Sequence, residues 1–208
     1  MIYISPTLLD SFQFYQTAAD DEYADMRRRE LIDRLKGITV TTEVMQRGTD
    51  FENLLCAYID GNAALDEADA VTKVIKEMAE HVRSASRQVH VKTLITPDVT
   101  VHGYIDFLHA GTVYDVKTTG TYLFPKYLHR NQHLAYLAAL RNQKIETFKY
   151  LVTDYKDCFI ESYHWRDSFM DDLRGRVNDF LGYLKADPEM SEAFYLKAEA
   201  DAIKYGGE

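Results

Sequence analysis

Between residues 85 and 87 the hydrophobic period of this chain drops from about 3.6 to 2, and it returns to 3.6 from about residue 126. That switch constrains the fold more than any other feature. It places a block of strands between two blocks of helices. On the N-terminal side, "ISPTLLDSFQFYQT" (4–17) opens a helix with Ser5 as N-cap and Pro6 at the first helical position, and Leu8, Leu9, Phe12 and Tyr15 form its apolar stripe. Residues 19–37 are charged and read as helix or loop, while 41–61 and 66–85 read as helices, the first closed by Gly61. The strand block comprises "RQVHVKTLI" (87–95), "VTVHGYIDFLH" (99–109) and "TVYDVKTT" (112–119). Short turns separate them, so they predict an antiparallel meander. A helix over 126–142 follows, then strands over 145–155 and 158–165, then helices over 166–186 and 188–203. The order predicts one α+β or α/β domain over 1–208, with a central mixed sheet flanked by helices.

The 46% hydrophobic content supplies a large core, and no apolar run reaches the ~20 residues that span a bilayer. No membrane partner is expected. The opening "MIYISPTLLD" lacks the pattern of a signal peptide, so a cytoplasmic location is expected. Cys56 and Cys158 are too few for a disulfide framework or a four-cysteine cluster. The net charge of −9 argues against a uniformly basic nucleic-acid binder. It is compatible with a local basic patch, and a cluster of metal-binding carboxylates is itself acidic.

Asp is disfavoured in strands, yet Asp106 and Asp115 both fall inside the meander. If Ala110-Gly111 is the two-residue hairpin loop, facing residues have numbers that sum to 221. Asp106 then faces Asp115, Tyr104 faces Lys117 and His102 faces Thr119. Lys117, two residues beyond Asp115, shares its face. Like charges directly opposed destabilise a sheet, and a divalent cation between them removes the conflict. Mg²⁺ takes hard oxygen ligands of this kind, and Mn²⁺ is the alternative.

These residues, "GYID", then "DVK", then a helix with "QHLAY", resemble the PD-(D/E)XK nuclease superfamily. Within it they are most similar to the RecB-like and phage RecE-like exonuclease branch. Asp106 matches the first acidic position, Asp115 and Lys117 the D-x-K, and Gln132 and Tyr136 the Q-x-x-x-Y. The opening helix is also similar, and the likeness spans residues 1 to about 137. The branch often carries G-x-x-x-H on an upstream helix, with His as a metal ligand; here "GTDFE" puts Glu52 there.

The resemblance implies a restriction-endonuclease-like core and a metal-dependent deoxyribonuclease, most similar to exonucleases of recombination, repair or phage DNA processing. It implies that Glu52, Asp106, Asp115 and the Val116 carbonyl hold Mg²⁺. Lys117 then assists water attack, with Gln132 near the phosphate and Tyr136 packed beside it. Tyr122, Lys126, Tyr127, Arg130 and Arg141 are expected to track a DNA strand, from linear duplex or single-stranded ends. A homo-oligomer or a recombination partner protein fits the same likeness. Two alternatives stay open: a non-catalytic DNA-binding or assembly module on this fold, and a metal-dependent phosphoesterase acting on nucleotides or RNA. The His129/His133 pair lacks an acidic partner for zinc, and Arg27-Arg28-Arg29 sits among acids as a solvated face.

Overall fold

The computed structural model describes residues 1–38 and 40–206. Its elements run β1 (Ile2–Ile4), α1 (Pro6–Gln16), α2 (Asp21–Leu35), α3 (Glu43–Ile59), α4 (Ala70–Val82), β2 (Ser86–Thr96), β3 (Val99–His109), β4 (Thr112–Thr118), α5 (Asn131–Leu140), β5 (Thr147–Thr153), β6 (Cys158–His164), α6 (Ser168–Ala186) and α7 (Pro188–Tyr205). The helix starts follow local chemistry. Ser5 Oγ, Asp20, Thr42 and Asp69 each accept a hydrogen bond from a backbone N–H of the first turn of α1, α2, α3 and α4. Such caps satisfy donors that a helix start leaves without partners.

The six-stranded sheet has the order β1-β3-β4-β5-β6, with β2 also paired to β3. β2 lies antiparallel along nearly the whole of β3, from Ser86↔Leu108 to Thr96↔Val99. β3 therefore has one edge left, and two strands share it. β1 takes the start in parallel, at 99–101, and β4 takes the end antiparallel, at 107–109. β4 then pairs in parallel with β5 across the α5 crossover, and β5 and β6 form an antiparallel hairpin. The sheet is mixed and helices cover both faces, as the sequence pattern predicts. Ile4, Leu9, Phe12, Phe148 and Phe180 lie in the cluster beneath α1, α5 and α6, while Phe51, Leu55, Ile75 and Met78 pack α3 and α4 onto the other face.

Three elements depart from expectation. β1 is three residues long, too short to show an alternating pattern. α5 starts at Asn131 rather than 126, because the segment before it, which contains Pro125, folds as a loop. The meander holds, but only three pairs join β3 to β4. His129 lies outside α5, and His133 is buried in the core, where its ring stacks 4.1 Å from Tyr163 and its Nδ1 is 3.2 Å from the Tyr150 hydroxyl.

Burial pushes His133 down to about 3, and burial together with His90 takes His102 down to about 4. An unfolded histidine titrates near 6.5. The unfolded chain therefore binds more protons below that pH, and the fold loses stability as pH falls from about 6.5 toward these values. In urea titrations at several pH values, the stability gap between wild type and His133→Gln is expected to shrink below that point. The slope is about 1.4 kcal/mol per pH unit. A gap that stays constant with pH contradicts a neutral buried His133.

Candidate functional site

The shared edge of β3 creates an opening. Among the described residues, no ladder pair joins 102–106 of β3 to β4, so the sheet parts between the end of β1 and the middle of β4. The 221 register holds for Phe107↔Tyr114, Leu108↔Val113 and His109↔Thr112. Beyond Phe107 the strands separate, so Asp106 does not pair with Asp115, nor Tyr104 with Lys117, nor His102 with Thr119. The Asp106 side chain accounts for the parting. Asp106 turns its carboxylate onto its neighbour's backbone, where Oδ2 accepts from the Val116 N–H at 3.1 Å. A side chain thus occupies a donor that faces β3. The β2–β3 ladder also skips Gln88 and Asp106, with Gln88 at a left-handed φ of 50°.

Asp115 is only 2% exposed. Its Oδ1 accepts from Gln132 Nε2 at 2.8 Å, fixed by the first turn of α5. Its Oδ2 is buried, and its one polar partner among the described residues is the Lys117 ammonium, which lies against it as an ion pair. Glu52 reaches the same opening from α3, with Oε1 accepting from Gln88 Nε2 at 3.3 Å. Gly48, one turn earlier, fits the approach: a Cβ there would stand 3.2 Å from Thr118 Oγ1, a tight contact where α3 meets the end of β4.

Three carboxylates and one ammonium share this space. Burial, then the Asp115 charge, then Glu52 push Asp106 up to about 8. Burial and Asp115 hold Glu52 above its usual range. Burial likewise raises Asp115, against the pull of Lys117 and Gln132. Burial alone would lower Lys117, but Asp115 and Asp106 hold it above its ordinary value. All four shifts report a pocket short of positive charge. Among the described residues, no three His, Cys, Asp or Glu side chains gather into a closed ligand set. The donors nevertheless fit a hard divalent cation in kind. They are carboxylate oxygens in excess over one lysine.

Tyr136 lies one turn after Gln132 on α5 and presses onto β3. A Cβ added to Gly103 would come within 2.6 Å of its hydroxyl oxygen. Gly103→Ala is expected to displace Tyr136 or cost about 1–3 kcal/mol, the range for overpacking. Denaturant unfolding of Gly103→Ala, Tyr136→Ala and the double variant checks this. Additive costs would show that the two residues do not meet.

The residues expected to track DNA separate into two groups. Tyr127 is 4% exposed and stacked on Tyr150 at 4.6 Å, so it is a wall of the core and not a surface for bases. Tyr122 is stacked on Phe159, and its hydroxyl donates to Glu161 at 3.0 Å. Lys126 is exposed beside the opening and holds Thr119 and Thr121. Arg130 lies over the Phe14 ring, 3.6 Å from Asp10. Arg141 is exposed over Trp165, at the far end of α5.

Two carboxylates escaped the sequence reading. Fully buried Glu161 accepts from Tyr122, Tyr163 and the backbone N–H groups of Lys126 and Tyr127, and so ties the 122–127 loop to β6. It alternates with Phe159 and Tyr163, the same signal of an acid on an apolar strand face that marks Asp106. Asp10 of α1 accepts from the backbone N–H and the side-chain amide of Asn131, both at 2.8 Å, and anchors the start of α5.

A cleft of about 360 Å³, lined by Ser5, Pro6, Thr7, His102, Gly103, Tyr104, Gln132, Tyr136, Lys197 and Tyr205, meets the site at Gln132, which holds Asp115; the carboxylates themselves are not among its lining residues. The N-terminal turns of α1 and α5 both open onto it.

No family model matches the chain, and no curated protein matches it. Among solved structures it is similar to LHK-Exo in complex with dAMP, at 17% identity and a TM-score of 0.52, over 96% of this chain and 94% of that one. A likeness to SSO0001 has 11% identity and a TM-score of 0.47, over 88% of this chain and 76% of that one. Over nearly all of its length the chain therefore has a fold similar to that of LHK-Exo.

Proposed function

We propose that the chain is a divalent-metal-dependent nuclease that hydrolyses phosphodiester bonds in DNA, with its active site in the opening between β3 and β4. The observation that carries this reading is the buried Asp115 carboxylate, with the Lys117 ammonium against its Oδ2 and the carboxylates of Glu52 and Asp106 close enough to raise one another's pKa, a cluster with more acid than base. LHK-Exo, which shares the fold, was crystallised with a deoxynucleoside monophosphate.

In this reading Glu52, Asp106, Asp115 and the Val116 carbonyl hold Mg²⁺ or Mn²⁺. The metal supplies Lewis-acid stabilisation of phosphoryl charge and activation of water. Gln132 keeps Asp115 in one orientation through Oδ1, leaving Oδ2 to face the opening. The Lys117 ammonium meets the charge that develops on the phosphoryl oxygens. Tyr136 fills the space over Gly103 and keeps water out of the floor of the cleft. The strand enters beside Ser5 and Thr7, which line the cleft with Gln132. Lys126, held on Thr119 and Thr121 at the end of β4, adds a positive charge. Attack on strand ends, as in exonucleases, follows the sequence resemblance, as does a homo-oligomer or recombination partner.

A second reading has one observation in its favour. Lys117 already closes on Asp115 and the ligand set is not gathered, which suits a DNA-binding or assembly module that has kept the fold. Incubation with linear, nicked and circular DNA and with RNA, with and without Mg²⁺ or Mn²⁺, separates the two. The nuclease reading expects metal-dependent loss of linear DNA. Binding without cleavage under either metal supports the module, and cleavage of RNA alone points to a different phosphoesterase.

A further inference from the structure

The far end of the same cleft carries a row of aromatic rings that the proposed chemistry does not use. Tyr104 is 45% exposed, although its neighbours Gly103 and Ile105 are buried in the sheet. One side of the ring is backed by His90 at 4.9 Å and 33°. His90 is in turn 5.6 Å and 31° from Tyr205, the last residue of α7, and Tyr205 lies 4.2 Å from His102. The row is anchored on its inner side and open at Tyr104. Lys204 holds its ammonium 4.9 Å from the centre of the Tyr205 ring, which puts positive charge at the mouth.

Three facts connect this row to a nucleic-acid strand. Tyr104 and Tyr205 line the same cleft as Gln132 and Tyr136. Tyr104 is two residues from Asp106 on β3, about 7 Å at the rise of a strand, close to one nucleotide from the carboxylates. An exposed ring backed by further rings, beside a lysine, is the arrangement on which bases stack without regard to sequence. Inside a duplex both faces of a base are covered by its neighbours, and at an end only the outer face of the last pair is free, so a base that follows its strand past that end into the cleft meets the ring unpaired.

We infer that Tyr104, supported by His90 and Tyr205, is a stacking surface for the unpaired base of the nucleotide next to the scissile phosphate, so that the strand in the cleft is single-stranded there. This rests on the nuclease reading of the carboxylates and adds the state of the substrate to it.

The test is fluorescence anisotropy with a short fluorescein-labelled oligothymidylate in EDTA, beside an abasic strand of the same length. Tyr104→Ala is expected to weaken oligothymidylate binding by about 10-fold or more, the scale of one base–aromatic stack. Tyr104→Phe should bind as wild type does, and Tyr205→Ala should lose part of the affinity. The abasic strand should bind wild type and Tyr104→Ala equally. In cleavage assays the Tyr104→Ala defect should appear in KM more than in kcat. Thermal melts establish that the variants are folded. Wild-type affinity in Tyr104→Ala, or an equal loss for both strands, overturns the stacking surface. If wild type cuts linear DNA and that result is found, the stacking inference fails alone. If wild type neither binds nor cuts DNA, both fail.

Discussion

Asp106→Asn is expected to abolish DNA cleavage while making the metal-free chain more stable, by roughly 1 kcal/mol, the scale of a like-charge pair across strands. In the metal-free fold the Asp106 carboxylate is held near 8 by burial and by Asp115 and Glu52. Asparagine keeps an oxygen to accept from the Val116 N–H and removes an acid whose ionisation the empty site disfavours. The gain belongs to the empty site alone. Mg²⁺ stabilises wild type by binding the folded state, about 2.7 kcal/mol at a hundredfold excess over Kd. The variant should lose most of that increment. Thermal melts with and without Mg²⁺, together with a nuclease assay, read all three quantities. An unfolded variant would make Asp106 structural, and a variant that still cuts would place the chemistry elsewhere.

Lys117→Ala is expected to act in the opposite sense on stability. Asp115 is buried, and the Lys117 ammonium is the only charge-compensating group in contact with its Oδ2 among the described residues. Removing one partner of a buried pair leaves an uncompensated charge, which costs up to about 3 kcal/mol where the lysine is partly solvated. Cleavage should fall by about 100-fold or more, as when a preorganised donor is removed. Because lysine supplies no oxygen ligand, the variant should keep its metal and gain more stability from Mg²⁺ than wild type does. In the Lys117→Ala/Asp115→Asn double variant the stability loss should largely disappear. Urea unfolding of the four chains in a double-mutant cycle measures this, and a pair without coupling would contradict the ion pair as described.

Most of the fold was legible because local rules and tertiary packing agree along this chain. The limits of β3 follow the run "VTVHGYIDFLH" without an adjustment, since Pro97-Asp98 and Ala110-Gly111 turn the chain on either side. Ser5 and Pro6 start α1 where their side chains dictate. The pattern could not reveal β1, whose three residues are defined by a parallel partner nearly a hundred positions away. Nor could it reveal that β1 and β4 share one edge of β3. That non-local arrangement ends the 221 register at Phe107, so Asp106 and Asp115 are not a ladder pair and lie at the lip of an opening.

The candidate site was legible for a related reason. Asp106, Asp115 and Lys117 contradict the strand pattern around them, and the structure gathers them with Gln132 at one place. Glu52 was reached through resemblance, and the tight contact at Gly48 fits its approach. Tyr127 shows where composition misleads. An aromatic residue in a basic loop suggests stacking on bases, but its ring is needed against Tyr150. Exposure, which decides that role, is set by packing and has no local signature.

The central claim is that these carboxylates form a metal site, and calorimetric titration of Mn²⁺ into the wild-type chain and into Glu52→Gln tests it most directly. The account predicts saturable binding to wild type and affinity weaker by about 10-fold or more in the variant, the lower end of losses seen when groups around a metal are changed. Absence of saturable binding to wild type, or the same affinity in both chains, would contradict it.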